Sequence, residues 1–174
     1  MSDAADVRRV VELAATDTLL PLRAVVNLIG GYSGGARVGE TSIEDFERQF
    51  TLNLRPTYLV TQSALAHLHG GGTIVCVSSR AALQPFSGAA GYIASKAAVI
   101  AFAQAVAVEY RDEGIRCNVV LPSVIDTPAN RHAQPDADHS RWVSPDRIAT
   151  VIHFLCKQPS EAISGAAIPV YGGA

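Results

Sequence analysis

TIVCVSSRAALQPFSGAAGYIASKAAV, residues Thr73 to Val99, decides the fold. It opens on TIVCV, an unbroken apolar and β-branched run, which is the pattern of a strand covered on both faces. Turn-forming residues follow, and from Ala89 the chain stays alanine-rich and proline-free to Asp112, which predicts one long helix. A strand buried on both faces and feeding a helix is the unit of a parallel sheet.

The same alternation recurs on either side. Upstream, Asp3 to Ala15 carries Val7, Val10, Val11 and Ala14 at helical spacing, and LRAVVNLI, Leu22 to Ile29, reads as a strand stopped by Gly30 and Gly31. Thr41 and Glu44 have the spacing of a capping box for a helix running to about His69 and closed by Gly70, Gly71 and Gly72. Downstream, IRCNVVL, Ile115 to Leu121, predicts a strand ending at Pro122. Short helices are predicted at Ala129 to Ala133 and Pro145 to Cys156, and a last strand at Ala167 to Val170. The fold class is α/β, a single domain over residues 1–174 with about four parallel strands flanked by helices. Right-handed crossovers place the strands side by side in sequence order, as a partial Rossmann-like, doubly wound sheet.

Hydrophobic residues make up 48% of the chain and charged residues 17%, which implies helices buried on more than one face or a subunit interface. The net charge of −2 gives nucleic acid no basic face to bind. Ala97 to Val108, the longest apolar stretch, is broken by Gln104 and falls short of the roughly 20 residues of a membrane span. The polar start, MSDAADVRRVV, lacks the apolar centre of a signal peptide, so a cytoplasmic location is expected. Cys76, Cys117 and Cys156 are an odd, widely spaced set in apolar surroundings with no CxxC, which reads as buried reduced thiols and no metal site. Small molecules and further copies of the chain are the expected partners.

Tyr92 and Lys96 stand four apart on one helix face, where an ammonium beside a phenol favours the phenolate and lowers its pKa. Such a tyrosine serves as a general acid or base. Taken alone, the pair is equally a surface tyrosine and lysine. Ser79, just past the end of TIVCV, lies where open α/β sheets place ligands and could polarise a carbonyl, although a serine there can also just satisfy the turn. Asn53 precedes Pro56 by three residues inside the long helix. Proline removes a helical hydrogen bond, and the kink it imposes can hold an ordered water, with Asn53 as a relay residue or as a solvent-facing asparagine. LPSVIDTP, Leu121 to Pro128, is a proline-stiffened loop at the sheet's carboxyl edge whose backbone and Thr127 hydroxyl could meet a flat, amide-bearing ring.

VSSRAALQPFSGAAGYIASKAAV, Val77 to Val99, resembles the catalytic segment of short-chain dehydrogenases/reductases. VVNLIGG, Val25 to Gly31, resembles their Asn-Asn-Ala-Gly strand end, with Leu28 and Ile29 in place of the second asparagine and the alanine. NLRPTYLV, Asn53 to Val60, resembles the stretch bearing the catalytic asparagine, and IRCNVVLPSVIDTP resembles the Pro-Gly loop with Ser123 for its glycine. The resemblance implies hydride exchange between NAD or NADP and a carbonyl or alcohol. Tyr92 would transfer the substrate proton, Lys96 would tune it and hold the nicotinamide ribose, and Ser79 would orient the carbonyl. Asn53 would keep a water-linked proton path. Asn27 and Gly30, with Pro122, Ile125 and Thr127, would complete the cofactor side. Ile125 to Trp142 also resembles the corresponding loop of dihydropteridine reductases, a local likeness on the substrate side that adds a pterin-like or quinonoid substrate as a further reading without fixing the substrate.

The family begins with a strand and a Gly-rich turn that cradles the dinucleotide pyrophosphate at a helix N-terminus. No G-x-G-x-x-G occurs in these 174 residues, and the glycines at 30, 31, 34, 35 and 39 read as a flexible loop. Against the family, Met1 falls after the third strand, so the chain reads as the C-terminal portion of the fold, from a truncated form of a longer enzyme. Two expectations follow. Leu22 to Ile29 becomes an uncovered apolar edge, which favours a homo-oligomer. The chain is either an oxidoreductase weakened in cofactor binding or a catalytically silent remnant serving as a binding or oligomerisation module.

Overall fold

The computed structural model describes residues 3–68 and 70–173. Strands β1 (Ala24–Asn27), β2 (Gly72–Val77), β3 (Ile115–Pro122) and β4 (Ala167–Val170) form one parallel sheet in the order β1-β2-β3-β4. The predicted α/β class, strand number and sequential order all hold.

Two apolar layers sandwich the sheet, and strand alternation assigns each residue to one of them. Helices α2 (Ile43–Leu65) and α3 (Ala90–Glu109) cover one face, where Ile74, Cys76, Cys117, Val119 and Leu121 meet Val99, Ala103 and Val106. The opposite face carries Val75, Val120 and Val170 against Ile148, Ile152 and Leu155 of α5 (Pro145–Leu155). Helix α1 (Ala4–Ala14) docks on α2, with Val7 buried, and the short α4 (Pro128–Ala133) follows β3.

Several boundaries move. The N-cap of α2 is Ser42, whose hydroxyl accepts from the Asp45 amide, and not Thr41. The Thr41 hydroxyl is occupied elsewhere, donating to the Arg37 carbonyl. Helix α2 stops at Leu65, and the predicted end at His69 lies outside the described residues. The first strand is four residues rather than eight, because only Ala24–Asn27 find partners on β2. Helix α3 reaches 20 residues and is long and apolar enough by composition to cross a membrane, contrary to the expectation from Ala97 to Val108. One face of it nonetheless packs on the sheet as a core helix. Cys156 is partly exposed, unlike the buried Cys76 and Cys117.

Strand β1 is an edge, as expected. Val25 packs into the α2–α3 layer, whereas Val26 points to the opposite face and remains 38% exposed, because α5 reaches β2, β3 and β4. Leu28 beyond the strand end and Leu19 and Leu20 before it are also exposed.

Candidate active site

In a parallel sheet every carboxyl end lies on one side, so Asn27, Val77 and Pro122 launch their loops together. All the predicted site residues gather there.

Ser79 follows β2 and caps a single 3-10 turn, accepting from the Ala81 amide at 3.2 Å. Its side chain also hydrogen-bonds Tyr92, on the first turn of α3. Lys96, one turn further on, is only 6% exposed, and its Nζ donates to the Val77 carbonyl at 3.2 Å. The neighbouring Ser78 hydroxyl donates to the Lys96 carbonyl at 2.7 Å, which ties α3 to the end of β2 from both sides.

Electrostatics overturn one expectation. Lys96 does not lower the Tyr92 pKa in this arrangement. Burial pushes the phenol above its ordinary value, the hydrogen bond from Ser79 pulls it partly back, and Tyr32 adds a small upward push. The ammonium turns instead toward the Val77 carbonyl, and burial brings Lys96 itself down to about 8. Near neutral pH Tyr92 is therefore a protonated phenol, poised to donate.

Asn53 is fully buried rather than solvent-facing. Its Oδ1 accepts from the Gly31 amide at 2.9 Å, its Nδ2 donates to the Ser95 hydroxyl at 3.0 Å, and that hydroxyl donates to the Tyr92 carbonyl at 2.8 Å. One side chain thus joins α2, α3 and the loop after β1. The Thr57 hydroxyl donates to the Asn53 carbonyl at 2.8 Å, so this carbonyl at the Pro56 turn has a side-chain partner. Ser95 was missed from sequence, although its place beside Lys96 was the available signal.

Gly30 sits where Asn53 and Lys96 converge. A Cβ there would lie 2.7 Å from Asn53 Oδ1 and 2.8 Å from Lys96 Nζ, so only glycine fits while both keep their places. Asn27 is buried, with Nδ2 donating to the Thr57 carbonyl at 3.1 Å and Oδ1 left without a partner.

On the far side, Pro122 ends β3 and Ile125 bridges to Val143. The Ile125 carbonyl is taken by the Thr127 amide and by Asn130 Nδ2 at 2.8 Å, which leaves its N–H as the group that can turn to a ligand. Thr127 caps α4 by accepting from the Asn130 amide, and its hydroxyl hydrogen stays free to donate. Ser123, in the glycine position of the loop, fastens it to the last strand by donating to the Tyr171 carbonyl at 2.7 Å.

A family profile described as enoyl-(acyl carrier protein) reductase matches residues 1–174. The chain belongs to the short-chain dehydrogenase/reductase family. A short-chain type dehydrogenase/reductase from Mycobacterium ulcerans shares its fold, with a TM-score of 0.92 at 24% identity over 99% of this chain and 66% of that one. A family relative, the 4-formylbenzenesulfonate dehydrogenase TsaC1/TsaC2 of Comamonas testosteroni, is 31% identical over 99% of this chain and 74% of its own length. The NADPH complex of a blue fluorescent protein from a metagenomic library superposes with a TM-score of 0.85 at 31% identity, covering 99% of this chain and 72% of that one. This chain spans 55% to 74% of the length of three curated relatives that it matches.

Proposed function

We propose that the chain is an NAD(P)-dependent oxidoreductase exchanging a hydride between nicotinamide and a carbonyl or alcohol. The observation that carries this reading is the convergence of Ser79, Tyr92 and Lys96 at the carboxyl edge of the sheet, with Asn53 fixed behind them. The NADPH-bound neighbour and the dehydrogenase relative support it.

The residues present fit the nicotinamide end of a dinucleotide. Asn27 Oδ1 is a buried acceptor without a partner, Lys96 has three donors of which Val77 takes one, and Gly30 has no side chain to push Lys96 Nζ from its place. Lys96 and Tyr92 would hold the ribose. The Ile125 N–H, the Thr127 hydroxyl and the backbone at Pro122 would meet the carboxamide. When bound in reduced form, the cofactor supplies a hydride to the carbonyl carbon.

The rest of the chemistry belongs to this chain. The Ser79 hydroxyl orients the carbonyl oxygen, and the Tyr92 phenol gives it the proton as the C–H bond forms. The tyrosine regains its proton along a path past Lys96, held in shape by Asn53. In the oxidising direction each proton moves in reverse.

The test is titration of NADH and NADPH into the purified chain, followed by nicotinamide fluorescence. Saturable enhancement is expected, with turnover of a ketone substrate lost in Tyr92→Phe. No binding at millimolar dinucleotide would sink the reading.

The exposed Val26 and Leu28 at the β1 edge favour a second reading, in which the chain is a silent module that pairs through this surface. The same edge supports self-association under either reading. Light scattering on the eluting protein at micromolar concentration is expected to give a dimer or larger, and a clean monomer would count against association.

A further inference from the structure

Tyr32 is the residue around the catalytic tyrosine that the mechanism leaves unused. It follows Gly30–Gly31, and its ring meets that of Tyr92 edge-on, with centroids 5.1 Å apart and planes at 88°. On its other side Phe86 lies 6.3 Å away at 43°. A tyrosine present only to pack a loop would be covered. Tyr32 is instead 58% exposed and Phe86 50% exposed.

The local backbone is built to hold Tyr32 in place. The Gly35 amide donates to the Gly88 carbonyl at 2.7 Å, which pins the loop after β1 to the segment that precedes α3. At Gly34 a Cβ would stand 2.8 Å from the Tyr32 hydroxyl and 2.6 Å from the Gly88 carbonyl, so the glycine permits the close approach that fixes the ring. The loop read from sequence as flexible is thus anchored beside the site. Past Phe86 the surface stays apolar, opening into a cavity of about 460 Å³ lined by Val38, Pro85, Phe86, Ile93 and Ala94.

Two exposed, anchored rings meeting at an angle beside the proton-donating phenol form a wall that lacks its third ring. Offset or edge-on aromatic contacts add attraction beyond the area they bury, so an aryl group gains more here than an alicyclic group of the same size. We propose that Tyr32 is a specificity-determining residue that, with Phe86, selects carbonyl substrates bearing an aromatic ring directly on the reacting carbon. This rests on the oxidoreductase reading for its purpose, though not for its test.

The test uses ligand binding without dinucleotide, so that failure to hold NAD(P) does not decide it. Acetophenone and cyclohexyl methyl ketone are titrated into the full chain and followed by saturation-transfer NMR. Acetophenone is expected to bind at least fivefold more tightly. Tyr32→Ala should abolish that preference, and Tyr32→Phe should restore it, a rescue that a loop-packing role needing the hydroxyl would not give. Equal binding of the two ketones by the wild type, binding of neither, or a preference that survives Tyr32→Ala would each overturn the proposal. Aryl binding without any NADH binding would sustain it while removing the oxidoreductase reading.

Discussion

Replacing Lys96 with methionine is expected to stabilise the protein near neutral pH by about 2 kcal/mol while removing any turnover. The buried ammonium is held near 8 against an ordinary 10.5, and a shift of that size corresponds to about 3 kcal/mol of penalty on the charged form. Loss of the hydrogen bond to the Val77 carbonyl returns about 1 kcal/mol of it. Below pH 8 both folded and unfolded chains carry the proton, so the penalty is fully present. Between pH 8 and 10.5 the unfolded chain binds more protons than the folded one, and wild-type stability rises with pH. The advantage of Lys96→Met should therefore shrink across that window. Urea denaturation of both proteins at pH 7 and pH 10 measures it, and an equal gap at the two pH values would show that Lys96 is not held as a destabilised cation. A buried lysine that weakens the fold fits the proposed role of Lys96 in chemistry.

Asn53→Leu should act in the opposite direction, destabilising the chain by about 3 kcal/mol. The substitution keeps the branched shape but enlarges it, and it takes Asn53 away from the Gly31 amide and the Ser95 hydroxyl in a site that water reaches poorly. An orphaned buried polar group costs about 1–3 kcal/mol. Asn53→Asp, which keeps the acceptor toward Gly31, should lose less near pH 5 than near pH 8, because burial disfavours its ionised form. Thermal denaturation at both pH values separates the two substitutions. A loss below about 1 kcal/mol for Asn53→Leu would mean that the three-way junction is not a structural tie.

The fold was legible because the strands carry near-continuous apolar runs and the sheet follows sequence order. TIVCV, IRCNVVL and Ala167 to Val170 hold within a residue. Their ends moved wherever a particular hydrogen bond decided the boundary. Thr41 and Ser42 are both competent caps, and only the three-dimensional course of the loop gave Thr41 a different acceptor. The site residues were legible one by one, since motif spacing places Ser79, Tyr92 and Lys96 on elements that must converge at the carboxyl edge. What sequence could not reveal is direction. Spacing of four brings Lys96 near Tyr92, but burial dominates the phenol and raises its pKa while the ammonium points to the Val77 carbonyl. Tyr32 and Ser95 were invisible for a related reason, because their partners lie 60 and 42 residues away along the chain and no periodic pattern links them.

The edge position of β1 gives the sheet a gradient of persistence. β2 and β3 are laddered on both sides, whereas β1 is held by β2 alone over Ala24–Asn27. Transient opening of a native protein starts at its least buried backbone hydrogen bonds, well before the core yields. β4 is the other edge, held by β3 alone over Ala167–Val170; of the two strands most open to fraying, β1 carries Asn27, and just beyond it lie Gly30, Gly31 and the loop to Tyr32, so the floor of the candidate site rests on an edge of the sheet. Anything that seats on that edge would slow the fraying and lengthen the time for which the candidate site stays assembled.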